Sequence, residues 1–563
     1  MPAGLKNGRA LAIVTASGFA GLGLQIVWTQ QGALAIGHEA ASMLAVVTAF
    51  FGGIAAGAFL LGGRIARSAR PARWYAVCEA VIGSWALILA FGFSSWAATW
   101  VAGPWPQVFI GTFILLLPAT AAMGATLPAM ARLLDGAAER GASIATLYAA
   151  NTLGAVLGAL GAAFGLIPLL GLRATAIVCG LTNLTCAVAA FGLGARAAAV
   201  AESPPASGSM RSALLALAVT GLLGIGYEVL VVRALSQVAE NTVYTFAILL
   251  AMYLVGTTLG AALYSRARVA DADRLRDLLF GALALTCLSG AVVLAFAAPF
   301  KAWMAPHGIG AALAVETWLA LGAFLPATIC MGALFSHLAT SATRAGAPFA
   351  RSLGVNTLGA AAAPLVFAAA LVAGVELKLV LLAIAGVYLL MPGLGTGARP
   401  LRLGAAAAWV AAAILLPSLS HVDVPDGGRV VRMIEGPLAT VEIVADANGT
   451  ATLHIDNKQQ EGSSATVFAI YQPLHKLLEA VCPLGFTAEF WTRAAVTVIY
   501  LMPLWVVLVW GLPDLQRIDF FSAGEVARRG LAAASFALVT IVIATGLRLS
   551  SLRPPSNYDA AVR

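Results

Sequence analysis

The sequence predicts an all-α polytopic membrane protein in which one six-helix bundle occurs twice. Of the 563 residues, 60% are hydrophobic and only 10% are charged, whereas a soluble domain carries about 25% charged residues. Apolar runs of about 20 residues, each long enough to cross a bilayer as a helix, recur from end to end. The third observation is a repeat, since LPATAAMGA at residues 117–125 returns as LPATICMGA at 325–333. We expect a duplicated architecture, because internal repeats determine a fold before local patterns do.

The duplication extends over the first 400 residues. NTLGA at 151–155 returns letter for letter at 356–360, and six candidate spans in residues 1–200 match six in residues 201–400 in order. The expected spans are 10–35, 41–63, 74–101, 107–132, 143–170 and 174–195, then 212–235, 242–265, 275–299, 310–338, 350–373 and 376–396. An even number of spans returns the chain to its starting side. The copies are therefore parallel repeats, which is the arrangement of major-facilitator transporters.

Basic residues are distributed unevenly between the two sides of the predicted bundle. Eighteen, from Lys6 to Arg402, fall in loops on one side, and only Arg173, Lys301 and Lys378 fall on the other. By the positive-inside rule the first side is cytoplasmic, so we expect a multi-pass protein of a bacterial-type inner membrane with a cytoplasmic N-terminus. This bias accounts for the net charge of +8. No basic stripe is interleaved with aromatic residues, and we expect the lipid bilayer rather than nucleic acid as partner.

The C-terminal third of the sequence changes character. A thirteenth span in residues 401–420 carries the chain outward, so residues 421–485 are expected to be extracytoplasmic. Within them LATVEIVA at 438–445 alternates as a strand does and turn residues follow, which predicts a small β-hairpin domain and then a short helix. So few residues bury too little surface to be stable easily alone, and we expect them to lean on the membrane or on a partner. Residues 486–563 add two more membrane helices and a polar tail.

Several stretches carry a resemblance to a known family. They are GLGLQIVWTQ at 21–30, GIGYEVLVVR at 224–233, YAANTLGAVLG at 148–158, LIPLLGLR at 166–173, and the hairpin segments EGP, ATV and DNK at 435–437, 439–441 and 456–458. Over about residues 1–485 the chain resembles the fused major-facilitator and spermidine-synthase-like membrane proteins. The resemblance implies a membrane part of twelve spans plus one, joined to an aminopropyltransferase-like module. It also implies a polyamine as the solute.

The catalytic half of that module is missing from the sequence. In the family the hairpin precedes a Rossmann-like domain that would bind decarboxylated S-adenosylmethionine or a related nucleotide. Here VCPLG at 481–485 stands where the glycine-rich loop is expected, and the chain then becomes apolar. No G-x-G-x-x-G follows a strand, and no acidic ribose ligand follows about 20 residues later. We therefore expect no cofactor, no metal and no transferase activity from this chain alone. The hairpin would be a remnant or a docking surface for a membrane or periplasmic partner, together with the C-terminal helices.

Ionisable residues inside the spans mark the candidate site, because each costs about 2.5–3.5 kcal/mol to insert. They are Glu79, Glu228, Arg233 and Glu316. Glu228 and Arg233 stand about 140° apart round a helix, so they do not face each other, and at least one must pair with another helix or line a cavity. Two interpretations stay open. In one, Glu228 binds a proton or cation with Arg233 as its gate or counter-ion; in the other, both belong to a polar network that fixes helix packing.

The repeat adds three polar residues to the candidate substrate-binding set. Gln25 occupies in the first copy the position of Glu228 in the second, so any cation site is one-sided. Asn151 and Asn356 occupy matching positions beside glycines that permit close helix approach, where they would form interhelical hydrogen bonds or contact a solute. The full set is Glu228, Arg233, Gln25, Glu79, Asn151 and Asn356.

Three functions are compatible with these observations. The first is transport or sensing of a small polar or cationic solute such as a polyamine. The second is a structural or scaffold subunit that docks a partner through the outer hairpin. It is favoured by the two added spans and by the loop at 62–67, which lacks the acidic residue that major-facilitator transporters carry there. The third is an aminopropyltransferase-related enzyme completed by a partner.

Overall fold

A computed structural model provides the structure of the protein. It describes residues 3–36, 39–100, 105–134, 140–193, 208–239, 243–267, 271–304, 308–391, 399–419, 421–422, 424–435, 440–447, 451–456 and 458–463. The predicted short helix after the hairpin and the two C-terminal spans lie outside these residues.

The predicted spans of both copies are present. The first half contains α1 (Ala3–Ile36), α2 (Glu39–Arg67), α3 (Pro71–Trp100), α4 (Trp105–Leu134), α5 (Arg140–Gly161) and α6 (Ile167–Phe191). The second contains α7 (Gly208–Leu235), α8 (Val243–Arg266), α9 (Ala272–Ala295), the short α10 (Ala297–Met304), α11 (Ile309–Arg344), α12 (Phe349–Val372) and α13 (Leu377–Leu390), and α14 (Arg399–Leu415) follows. Ten stretches of the described chain are long and apolar enough to cross a membrane, with α5 and α6 counted as one, and α13 and α14 are shorter apolar helices. The predicted fold class is confirmed.

The turn between the fifth and sixth spans lies at Gly171. A single π turn, Ala162–Leu166, continues α5, and Gly171 then has a φ of 78° and a ψ of 170° inside α6. Glycine reaches this backbone region readily because it lacks a Cβ atom. The break falls between the two predicted spans, 143–170 and 174–195.

The two halves pack their helices in the same way. In the first half α1 packs against α5, α2 against α4, and α3 against both α4 and α6. In the second half α7 packs against α12, α8 against α11, and α9 against both α11 and α13. The halves meet where α2 contacts α12 and where α5 contacts α8. Because α2 is the equivalent of α8 and α5 is the equivalent of α12, these two contacts are themselves equivalent. An approximate two-fold axis therefore relates parallel repeats, as in the major-facilitator fold.

Glycines set the closest helix contacts within each half. A Cβ atom added to Gly57 of α2 would lie 1.8 Å from the carbonyl oxygen of Ala121 in α4. At the equivalent place, a Cβ atom added to Gly260 of α8 would lie 2.0 Å from the carbonyl oxygen of Ile329 in α11. Ala121 and Ile329 both belong to the repeated nine-residue stretch. The repeated motif therefore brings two helix backbones into contact, as small residues do in membrane bundles.

A small sheet follows α14. Its strands are β1 (Arg429–Glu435), β2 (Thr440–Ala445), β3 (Ala451–Ile455) and β4 (Lys458–Ser463), in the order β1-β2-β3-β4. β2 and β3 are the predicted hairpin, and β1 pairs antiparallel with β2. The sequence did not predict β1, because its apolar residues occur in adjacent pairs and do not alternate with polar ones. In the structure these residues, Val430, Val431, Met433 and Ile434, are all exposed.

The segment between α14 and the sheet attaches to the second half. The backbone N–H of His421 donates to Oε1 of Gln237 at 2.8 Å, just beyond α7. Nε2 of His421 lies 2.9 Å from the carbonyl oxygen of Leu294, near the end of α9. This segment therefore covers the C-terminal ends of α7 and α9.

Candidate functional site

A cavity of about 220 Å³ lies between the two halves. Its walls come from α1, α2, α4 and α5 of the first half and from α7, α8, α11 and α12 of the second, with single residues from α9 and α13. The polar side chains that line it are Ser17, Gln25, Thr126, Tyr148, Asn151, Thr152, Thr220, Glu228, Tyr253, Thr257, Asn356, Thr357 and Tyr388. The interface between membrane repeats is where this kind of architecture holds solute sites.

Most positions around the cavity occur in equivalent pairs. Examples are Gly18 with Gly221, Gln25 with Glu228, Phe50 with Tyr253, Met123 with Met331, Tyr148 with Leu353, and Asn151 with Asn356. Because the backbone positions match and several side chains differ, the cavity has a symmetric frame and an asymmetric chemical lining.

Glu228 is the one charged side chain among the described residues that line the cavity. The residue is only 9% exposed, and its equivalent Gln25 is 7% exposed and neutral. A carboxylate buried in a membrane span needs a proton or a cation to compensate its charge. Within the described chain no salt bridge to Glu228 is formed. Among the described lining residues the negative charge therefore lies on the side of the second half only.

Aromatic rings form much of the remaining wall. They belong to Phe50, Phe51, Tyr148, Tyr253, Phe335 and Tyr388. Tyr148 of α5 and Phe335 of α11 stand 4.7 Å apart between ring centroids and connect the two halves. The face of an aromatic ring attracts a cation within about 6 Å. A carboxylate among aromatic rings is suited to an organic ammonium group.

Arg233 lies outside the cavity lining. Its NH1 donates to Oδ1 of Asp456 at 2.6 Å, and its NH2 donates to Oγ1 of Thr440 at 2.5 Å. Both acceptors belong to the sheet region. The structure therefore gives Arg233 partners in the hairpin. Of the two interpretations left open by the sequence, one made Arg233 a gate or counter-ion of Glu228 and the other placed it in a polar network that fixes helix packing.

The asparagines and Glu79 take different places. Asn151 and Asn356 both line the cavity, and Nδ2 of Asn356 also donates to the carbonyl oxygen of Leu217 in α7 at 2.9 Å. Asn356 thus combines interhelical bonding with a position at the cavity. Glu79 is fully buried in α3 and does not line the cavity, but it accepts a hydrogen bond from Ser17, which does.

Glu316, the fourth ionisable residue found in the spans, is buried away from the cavity. Its Oε2 accepts a hydrogen bond of 2.8 Å from Oγ1 of Thr245. The structure therefore divides the predicted set. Glu228, Gln25, Asn151 and Asn356 come together at the cavity, and the other ionisable residues do not.

The aromatic residues of the cavity were not predicted from the sequence. Apolar spans contain many aromatic residues, and composition alone does not separate those that face a cavity from those that face lipid. The repeat could have identified two of them. Phe50 in α2 and Tyr253 in α8 are separated by the same number of residues as Gln25 and Glu228, so the two pairs occupy equivalent positions in the two copies.

The chain is similar in sequence to curated relatives from two species over part of its length. They are the polyamine aminopropyltransferases of Mycobacterium tuberculosis and Mycobacterium bovis, each 31% identical over 186 residues. The match covers 31% of this chain and 34% of each relative, so the chain spans about a third of the length of the curated relatives it matches. No protein-family model matches the chain.

The structure is similar to several solved membrane proteins. A bacterial homologue of the iron transporter ferroportin in an outward-facing state has a TM-score of 0.46 and 14% identity, and the match covers 71% of this chain and 99% of that one. The human organic anion transporter has a TM-score of 0.40 and 13% identity, with 74% and 100% covered. A proton:xylose symporter has a TM-score of 0.43 and 14% identity, with 73% and 96% covered.

Proposed function

We propose that the protein is a membrane transporter for a small organic cation that carries an ammonium group. The observation that carries this proposal is the single carboxylate, Glu228, in an aromatic-lined cavity between two parallel repeats. In folds of this kind alternating access arises when one repeat rocks against the other around a fixed site. A solute held between the repeats contacts both of them and is exposed to each side in turn.

The cavity offers an ammonium group two complementary interactions. The carboxylate of Glu228 provides a charge-assisted hydrogen bond, worth about 1.5–3 kcal/mol. The rings of Tyr148 and Tyr253, which line the same cavity, add about 0.5–2 kcal/mol each where they face the cation. On the equivalent side, Gln25 offers a neutral amide. This arrangement favours one strongly bound amine over a pair of equally bound amines.

A polyamine is the solute class that we favour. The partial similarity to polyamine aminopropyltransferases supports it, as does the resemblance to the fused major-facilitator and spermidine-synthase-like proteins. Their hairpin is retained here, whereas the sequence lacks the glycine-rich nucleotide loop. We accordingly propose transport rather than aminopropyl transfer as the activity of this chain.

The orientation that accompanies this function follows the distribution of basic residues. We place the N-terminus in the cytoplasm and the sheet outside it, in a bacterial-type inner membrane. In this orientation Arg233 and the sheet stand at the outer end of the second half. A solute would then pass between the two halves beside a sheet-covered outer surface.

The test uses the purified protein in proteoliposomes with radiolabelled putrescine. We expect exchange of labelled for unlabelled putrescine, and a loss of at least about tenfold in apparent affinity for Glu228→Gln, because about 1.4 kcal/mol corresponds to a factor of ten. Glu316→Gln is the matched control, since it also removes a buried carboxylate but lies outside the cavity. Equal exchange by wild type and Glu228→Gln, with Glu316→Gln also unchanged, would refute the site.

A docking role for the sheet is the second candidate, and β1 is the observation that favours it. β1 lies at one edge of the sheet, and four of its apolar side chains are exposed. An exposed apolar edge strand is a template for pairing with another chain. Purification in mild detergent should then return one stoichiometric partner, and Val431→Ser with Ile434→Ser should release it. Retention of the partner by the double variant would argue against this surface.

A further inference from the structure

Glu79 is buried directly behind the cavity wall. It lies in α3 and has no exposed surface. Its Oε1 accepts a hydrogen bond of 2.6 Å from Oγ of Ser17 in α1, and Ser17 lines the cavity. One hydroxyl group therefore connects the buried carboxyl group to the space in which the solute is proposed to bind.

The second carboxyl oxygen of Glu79 points to a small ligand. Oε2 is buried and has no hydrogen-bond partner within 3.5 Å among the described residues, although the hydroxyl of Tyr75 lies close enough to interact with the carboxyl group. A charged carboxylate in such a place is strongly unfavourable unless it is neutralised. A proton neutralises it without needing any additional volume. A divalent metal ion would instead require about six oxygen ligands, and no cluster of three or more metal-binding side chains is present in the described chain.

The groups that face Glu79 are themselves uncharged in their ordinary forms. Tyr75 and Cys78 of α3 and Cys186 of α6 lie close enough to interact electrostatically with its carboxyl group. Ser17 of α1 completes this surrounding. A tyrosine, two thiols and a serine can solvate a neutral acid, but they bring no positive charge that would hold a carboxylate in place.

The arginines on the neighbouring helices are engaged or exposed elsewhere. Arg132 of α4 donates to the carbonyl oxygen of Ala66 at 3.1 Å. Arg173 of α6 stands over the ring of Phe91, at 5.4 Å from its centroid. On α1 and α3 themselves, Arg9 and Arg73 are exposed. Among the described residues, no ion pair to Glu79 is formed.

We propose that Glu79 is a proton-binding site that couples proton movement to solute movement, with Ser17 as the connection to the cavity. This inference rests on the proposed transport function and adds a second site to it. The first site, Glu228, binds the organic cation, and the second, Glu79, binds the proton. Two buried carboxylates allow the solute and the proton to bind at separate sites, so that binding of one can change the affinity for the other.

The proton step is balanced over three groups. A water molecule or hydronium ion in the cavity donates a proton to Oγ of Ser17, while the serine hydroxyl passes its own proton to Oε1 of Glu79. One O–H bond breaks at the donor and one at Ser17, and one forms at Ser17 and one at Glu79. The serine is unchanged, Glu79 becomes neutral, and the donor loses one positive charge. Neutralisation then favours those conformations in which Glu79 is fully sealed from water.

The test compares two modes of transport in proteoliposomes that contain the pH dye pyranine. Exchange of labelled for unlabelled putrescine requires no net proton movement, whereas net uptake driven by a pH gradient does. We expect wild type to show both, together with a solute-dependent proton flux. Glu79→Gln should keep exchange and lose at least about tenfold of the gradient-driven uptake and of the proton flux. Glu79→Asp should recover part of the flux, because it restores the titratable group.

Glu316→Gln is the matched control, because Glu316 is also buried and also accepts a hydroxyl hydrogen bond, from Thr245, but neither residue lines the cavity. It should retain proton flux. If Glu79→Gln keeps full gradient-driven uptake, or if wild type exchanges putrescine without any proton flux, the proton site is refuted while the cation site stands. If wild type neither binds nor exchanges putrescine, the proposed function is refuted, and the proton site falls with it. Should Glu79→Gln fail to fold, flux by Glu79→Asp below the level of Glu316→Gln decides in favour of the site, and equal flux decides against it.

Discussion

Arg233 near the end of α7 forms an ion pair with Asp456 at the end of β3, with 2.6 Å between NH1 and Oδ1. The side chains are 7% and 16% exposed. Oδ1 of Asp456 also accepts the backbone N–H of Thr440 at 2.9 Å, and Asp456 itself has a positive φ of 50°. One arginine thus fixes the sheet to the membrane bundle and stabilises an unusual turn.

Loss of this ion pair should loosen the sheet. Arg233→Gln leaves the partly buried carboxylate of Asp456 without its cation, at a cost below the roughly 3–5 kcal/mol of a fully buried pair. We expect faster hydrogen exchange at the backbone amides of β2 and β3, measured by mass spectrometry on the protein in detergent, with exchange in α1 and α2 unchanged.

Arg276→Gln serves as the comparison for this substitution. Arg276 pairs with the exposed Asp273 and with the buried Asp277, and both partners lie in α9. Arg276→Gln therefore removes an ion pair that does not involve the sheet. It should leave exchange in the sheet unaltered. Identical exchange in β2 and β3 for Arg233→Gln and wild type would show that the sheet is held by other contacts.

Substitution of a glycine at the contact between α2 and α4 should destabilise the first half. An alanine at Gly57 would place its Cβ 1.8 Å from the carbonyl oxygen of Ala121, so α2 and α4 must separate. Overpacking of this kind costs about 1–3 kcal/mol. Gly63→Ala, on the same helix, meets nothing within 4 Å and should be neutral. Thermal unfolding in detergent, followed by intrinsic fluorescence, measures both. Equal melting temperatures for the two variants would contradict the packing role assigned to the repeated motif.

A second carboxylate should change the preference of the cavity. Gln25→Glu places a carboxylate at the position equivalent to Glu228, so a diamine can then pair at both ends. We expect affinity for putrescine relative to a monoamine of similar length to rise about tenfold, measured by competition binding. The swapped variant, Gln25→Glu with Glu228→Gln, keeps one carboxylate and should retain the wild-type preference. No change in relative affinity for Gln25→Glu would mean that the solute does not reach Gln25.

Cysteine labelling tests the proposed orientation. Ala69 in the loop between α2 and α3 and Asp426 before β1 are exposed, and they should lie on opposite sides of the membrane. In a background with Cys482→Ser, an impermeant maleimide added to intact spheroplasts should label Asp426→Cys and leave Ala69→Cys unlabelled until the membrane is opened. The reverse order of labelling would invert the topology.

The sequence was sufficient to predict the bundle because its duplication is explicit. Two copies of one motif with an even number of spans leave few arrangements, and the observed helix bounds follow the predicted ones. The pairing of Gln25 with Glu228 at the cavity followed from the same offset. Equivalent backbone positions remain equivalent when two repeats close around an axis.

The partners of Arg233 and Glu79 were not predicted for a different reason. Asp456 lies 223 residues beyond Arg233, in a region with no counterpart in the first 400 residues, so the repeat gave no information about it. Glu79 and Ser17 lie on different helices, and their contact depends on how α1 and α3 rotate about their axes. Apolar composition all round a membrane helix leaves that rotation undetermined.

The close helix contacts at glycines limit how each half can move. Where Gly57 meets Ala121 and Gly260 meets Ile329, backbones touch without intervening side chains, so neighbouring helices cannot slide past each other without colliding. Each six-helix half should then rotate as a rigid body. Any conformational change must therefore rearrange the contacts between the two halves. Among these is the contact between the tilted rings of Tyr148 and Phe335, which must separate before the cavity can open on their side.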